Sequence, residues 1–242
     1  MIPLSDNIRA RTVPIVNIGI IVACVLVFLL ELIHPGLVDQ WTFKPAYLLS
    51  RELWQVGPVH AGMSLLVSIF LHGGFLHIAG NMLFLWVFGD NVEDRMGHLR
   101  YLVFYLVCGA AATLMHSFVA VFGLVSTPHA LDIGVVGASG AIAGILGAYL
   151  VLYPHASIRS LVILIIFFFV VNIPAPLFIV FWFILQLFSG VGSLGGAGAG
   201  VAYWAHIGGF VVGYLWTKRM FSWRGHRRPP EARLLDIKLD DL

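Results

Sequence analysis

Three stretches of this 242-residue chain place reactive side chains where the surroundings are almost wholly apolar. The first is Gly137-Ala138-Ser139-Gly140, a small-residue turn that sets a serine where an apolar helix begins. The first N–H groups of a helix have no partner inside it, and the dipole there favours negative charge. A serine at that point has a hydroxyl beside anion-stabilising donors, the logic of the Gly-x-Ser-x-Gly elbow of hydrolases transferred to a different fold. The plainer role is an N-cap, for which serine is a preferred residue. The second stretch, Ala205-His206-Ile207-Gly208-Gly209-Phe210, opens the last apolar run with a histidine. A serine hydroxyl is a weak nucleophile until a base takes its proton, and His206 is a residue of the right type. Its plainer role is a hydrogen bond to a neighbouring helix.

The third stretch is His72-Gly73-Gly74-Phe75-Leu76-His77-Ile78-Ala79-Gly80-Asn81. His77 and Asn81 are four residues apart and share one face of a helix. Both can donate hydrogen bonds, and donors aimed at a developing oxyanion are among the largest catalytic terms. His72 faces elsewhere and is expected to be structural, bonding the connection over residues 34–61. Three histidines could instead bind zinc. There is no His-Glu-x-x-His and no cysteine near them, so no metal is expected. No dinucleotide or Walker pattern is present, so no cofactor is expected. His116 and Gln186 are further polar side chains inside apolar runs, each a functional candidate by its cost there.

The elements that must position these groups are set by composition. The chain is 60% hydrophobic and 11% charged, with mean hydropathy +0.93. A soluble domain carries roughly 25% charged residues, so a water-soluble globule and a disordered chain are both excluded. At about 20 residues per crossing, the length leaves room for about five to seven membrane helices. A net charge of +2 suggests no nucleic-acid partner, and Cys24 and Cys108, both within apolar runs, imply no disulfide framework. Apolar runs lie at residues 13–33, 74–89, 99–121, 139–153, 177–188 and 203–220. Residues 34–61, with Trp41 and Trp54, read as an ordered loop at headgroup level. Six glycines in residues 190–200 predict a flexible loop.

Twelve of the fourteen Lys and Arg residues fall on one side of the resulting topology, and only Lys44 and Arg51 on the other. Positive charge marks the cytoplasmic side. Both termini are therefore expected in the cytoplasm, with an even number of crossings. Six fits if residues 158–188 cross once and residues 161–171 lie at the interface or re-enter. The expected architecture is an all-α bundle of six transmembrane helices over residues 13–220, between a cytoplasmic segment (1–12) and a cytoplasmic tail (221–242). In that topology Ser139 and His206 both begin outside-to-inside helices, at one depth near the outer face. Gly140, Gly144 and Gly147 on one helix and Gly209 and Gly213 on the other let the backbones approach closely. No internal repeat of the transporter kind is visible.

Taken in order, His72-x4-His77-x3-Asn81, Glu93-Asp94-Arg95, Gly137-Ala138-Ser139-Gly140 and Ala205-His206-Ile207-Gly208-Gly209 resemble the rhomboid family of intramembrane serine proteases. The resemblance implies Ser139 as nucleophile, His206 as general base and no acidic third member. It further implies an oxyanion site from Asn81, His77 and a backbone N–H near Ser139, assigned to Gly137. Glu93 and Arg95 match a structural pair. The fifth span would be a lateral gate and the loop at 190–200 a cap. Some members carry an aromatic four residues after the serine, packed on the histidine. Ala143 stands there, so His206 must be oriented by another group. The implied partners are the lipid bilayer and single-span membrane-protein substrates, and the implied location is a bacterial inner membrane. An inactive member that binds transmembrane helices is the alternative, although such proteins usually lack the serine or the histidine.

Overall fold

A computed structural model describes residues 1–122, 131–164, 166–194 and 202–222. After strand β1 (Ile2–Asp6), the first apolar run folds as α1 (Ile15–Ile33). Short helices α2 (Gly36–Trp41), α3 (Ser50–Val56) and α4 (Pro58–Val67), with a 3-10 turn at Pro45–Leu48, form the connection. Helix α5 (Phe75–Phe84) passes through one π-helical turn, Leu85–Gly89, into α6 (Asp90–Met96). Then come α7 (His98–Val121), α8 (Ser139–Leu152), strands β2 (Ser157–Leu164) and β3 (Phe167–Pro174), and helices α9 (Ala175–Leu194) and α10 (Tyr203–Ser222).

The molecule is predominantly helical, but it is not all-α. β1, β2 and β3 form an antiparallel sheet, with Ile2 opposite Leu161 and Ser157 opposite Pro174. Residues 161–164 and 167–171, expected at the interface or re-entering, are therefore in strands. Their Val, Ile and Phe side chains fit a pleated surface, and the two prolines at 174 and 176 keep a helix from starting earlier. Among the described residues three helices, α1, α7 and α9, are long and apolar enough to cross a membrane. Helix α8 has only 14 residues, about 21 Å at 1.5 Å per residue. The glycine run is also partly helical, because α9 continues to Leu194. Residues 195–200 of the expected cap, and most of the expected tail, lie outside the described residues.

Helix α8 sits at the centre of the fold, buried along nearly its whole length. The expected glycine contacts are present between α8 and α10. A Cβ on Gly209 would fall on the carbonyl oxygen of Gly140, and one on Gly213 on that of Gly144. A Cβ on Gly147 would lie 2.5 Å from the Phe210 carbonyl oxygen. Small residues thus set the spacing of the two helices that carry Ser139 and His206.

The acidic turn after α5 ties the far end together. Glu93 is fully buried and accepts from the Val16 and Asn17 N–H groups at 3.0 and 2.7 Å. It thereby caps the start of α1, where a carboxylate meets unpaired donors and the positive end of the dipole. Arg95 lies over the Phe221 ring of α10 at 5.5 Å. Asp6 of β1 accepts from the Asn91 amide at 2.7 Å and from the Tyr149 hydroxyl of α8. Burial raises the pKa of Asp6 above 3.8. It raises Asp90 to about 6, with Asp6 and Asp94 adding to the effect.

A carboxylate held above its unfolded value binds protons more readily in the folded state. Stability therefore falls as pH rises from about 4 to about 6 and is level above. Asp90→Asn is expected to remove the part of this dependence that Asp90 carries and to stabilise the protein at pH 7.5. The gain is about 1 kcal/mol after discounting for solvent screening, read as a Tm about 2–4 °C higher in detergent. An unchanged Tm, or one that rises with pH in the native protein, would contradict the assignment.

Candidate active site

Ser139 is the first residue of α8, one place inside the helix rather than at its cap. The cap is Ala138, and no side chain bonds the helix start. The hydroxyl turns instead toward α10, where Ser139 Oγ lies 2.7 Å from His206 Nε2. His206 Nδ1 lies 2.7 Å from Gln186 Oε1 on α9. An amide oxygen only accepts, so Nδ1 carries the proton and donates. Nε2 is then the acceptor and the serine O–H donates to it. Trp182, one turn before Gln186, places its ring 5.9 Å from the imidazole at 38°. The side chains that orient His206 thus come from α9, which compensates for Ala143.

His77 is fixed from the other side. Its Nδ1 accepts from the Gly73 N–H at 3.3 Å, so the neutral ring carries its proton on Nε2. Gly137 adopts φ +114°, a region that glycine enters without steric cost. A Cβ there would lie 2.7 Å from His77 Cε1 and Nε2 and 3.6 Å from Asn81 Nδ2. The turn before Ser139 therefore runs directly against His77 and Asn81. Asn81 is 7% exposed, and its Nδ2 has no hydrogen-bond partner among the described residues.

One expected donor is already committed. The Gly137 N–H donates to the Ser68 carbonyl at 2.9 Å, so Gly137 supplies space rather than a donor. The Ser139 and Gly140 N–H groups, in the first turn of α8, have no partner inside the helix.

His72 does not bond the 34–61 connection as expected. Its Nδ1 bonds the Phe70 carbonyl at 3.0 Å, and its backbone N–H donates to Glu31 Oε1 on α1 at 3.0 Å. Glu31 is only 6% exposed and had no role assigned from sequence. Its signal was a single acid near the end of an apolar run. His116 makes no hydrogen bond to Ser139 or His206 among the described residues.

A family model described as Rhomboid domain matches residues 51–223, well over half of the chain. The chain belongs to the rhomboid family. The matched segment holds every residue of the Ser139 constellation and leaves β1 and α1 outside it. Rhomboid protein 1, mitochondrial, of Saccharomyces cerevisiae is 28% identical over 186 residues, which is 73% of this chain and 46% of the yeast protein. Rhomboid protease GluP of Bacillus subtilis is 42% identical over 86 residues, 36% of this chain and 15% of its own length. Rhomboid protease GlpG of Salmonella choleraesuis is 31% identical over 109 residues, 43% of this chain and 35% of that protein. This rhomboid chain spans less than half the length of each of these relatives.

Proposed function

We propose that the chain is an intramembrane serine endopeptidase that cleaves transmembrane segments of single-span membrane proteins near the outer face. The observation that carries this reading is the 2.7 Å contact between Ser139 Oγ and His206 Nε2. The topology proposed with it has six crossings over residues 13–220 and both termini cytoplasmic, as the Lys and Arg distribution requires.

In this mechanism a substrate carbonyl enters between Ser139 Oγ and the Asn81 and His77 donors. Oγ attacks the carbonyl carbon as its proton passes to His206 Nε2. The oxyanion takes hydrogen bonds from Asn81 Nδ2, His77 Nε2 and the Ser139 N–H. Collapse breaks the C–N bond, and His206 returns its proton to the departing amine. Water, deprotonated by the same nitrogen, then hydrolyses the acyl-serine and restores the hydroxyl. A helical peptide bond is sterically closed, so the cleaved segment is expected to be a locally weakened helix with a small residue at the cut.

The direct test is covalent. A fluorophosphonate probe is expected to label purified protein at Ser139 by mass spectrometry, and His206→Ala to abolish the adduct. Absence of label on the native protein would sink the reading and leave helix binding without catalysis. A graded test concerns the orphaned amide. Asn81→Ala is expected to lower turnover of a fluorescent single-span substrate by ~10²-fold, the effect of one lost donor while others remain. An unchanged rate would remove Asn81 from the oxyanion role.

A further inference from the structure

We infer that Gln186 is a positioning residue for His206, and that its place on α9 makes the readiness of the base depend on how α9 packs against α10. This rests on the proteolytic reading above and adds to it a third member of the constellation and a means of control.

Neutral imidazole has one N–H, and its two tautomers do opposite things at Ser139. With the proton on Nδ1, Nε2 can take the serine proton. With the proton on Nε2, the ring faces Ser139 with a donor and no base is present. In the acid-containing triads a carboxylate holds the first tautomer. Here the acceptor is the neutral Oε1 of Gln186, 2.7 Å from Nδ1. No Asp or Glu bonds the ring among the described residues. A neutral acceptor fixes the tautomer without burying a charge in an apolar bundle, where an ion is costly.

The second part follows from where the acceptor stands. Trp182 and Gln186 are one helical turn apart on α9, and both face His206. The nucleophile helix α8 and the base helix α10 are locked together by glycine contacts. Helix α9 is the least buried of α1, α7 and α9. Its aromatic tie to α10 nearest Gln186 is the Phe183–Phe210 stack, with centroids 4.3 Å apart and planes at 25°. Outward movement of α9 by the length of one bond contact would therefore strip His206 of its acceptor and its aromatic wall together, while leaving Ser139 and His206 on their own helices. Closure of α9 restores both.

The test uses the full chain in detergent with a fluorescent single-span substrate, and protein labelled with ¹⁵N only at histidine. Gln186→Leu is expected to lower kcat by about 10–100-fold, the range seen when a metal-binding histidine loses the partner of its other ring nitrogen, with KM unchanged. The His206 ¹⁵N shifts are expected to lose the Nδ1-protonated signature. Gln186→Glu keeps an acceptor at the same place and is expected to restore kcat to within about 3-fold of the native protein. Phe183→Ala, which removes the stack on Phe210, is expected to weaken the same signature and to lower kcat.

Native kcat and an unaltered His206 spectrum in Gln186→Leu would overturn the positioning role. An unaltered spectrum and rate in Phe183→Ala would overturn the dependence on α9. In either case fluorophosphonate labelling of Ser139 in the native protein shows that the proteolytic reading stands, whereas loss of that labelling would sink the reading itself.

Discussion

Ser139→Ala is expected to remove cleavage of a single-span substrate, His206→Ala to do nearly the same, and the double variant to be no slower than either single one. The pattern follows from the geometry. The first task of His206 Nε2 is to take the proton of Ser139 Oγ 2.7 Å away, and its later proton transfers act on the acyl-serine that this step makes, so without the serine none of them takes place. Nucleophile and base that act as one unit lose their effect together. In serine proteases such losses reach on the order of 10⁶ in kcat and do not multiply. What survives comes from donors that still bind the oxyanion, here Asn81 and His77. Turnover of a fluorescent substrate in micelles checks the expectation, with Tm confirming that each variant is folded. Cleavage by Ser139→Ala at the native rate would refute the nucleophile. A double variant far slower than both singles would show that the two residues act separately.

Much of this arrangement can be seen in the sequence because polar groups in an apolar chain are few. Ser139, His206, His77 and Asn81 stand out for that reason, and the glycines at 140, 144, 147, 209 and 213 already indicate which two helices touch. What sequence leaves open depends on relations between elements. Whether Gln186 meets His206 is set by the rotation of α9 about its axis. Whether the Gly137 N–H is free is set by the Ser68 carbonyl, which lies nearly seventy positions earlier. Glu31 ends an apolar run and looks like a boundary residue until His72 folds back onto it. The strands at 157–174 are ambiguous for a different reason. A continuous Ile, Val and Phe run suits a buried strand and an apolar helix equally. The decision comes from pairing with β1, whose partner residues are more than 150 positions away.

The second large effect expected is structural in cause and catalytic in consequence. A Cβ on Gly209 would fall on the Gly140 carbonyl oxygen, which belongs to the residue directly after Ser139. Backbone cannot yield as a side-chain tip can, so Gly209→Ala must push α8 and α10 apart. Gly209 lies three residues after His206, and on one turn of a helix such positions are neighbours. The displacement therefore falls on the 2.7 Å contact between Ser139 and His206. A shift of about 1 Å in a reacting pair can cost ~10²-fold in rate, and overpacking a close contact costs about 1–3 kcal/mol of stability. Gly209→Ala is expected to show both losses. Gly19→Ala in α1 is the control, because a Cβ there meets nothing within 4 Å, and neither Tm nor kcat is expected to fall. Bulkier Gly209→Val should leave too little folded protein to assay, which makes alanine the informative change. If Gly209→Ala kept native kcat and native Tm, the helices that hold the dyad would not be spaced by their glycines, and the closeness of Ser139 to His206 would need another cause.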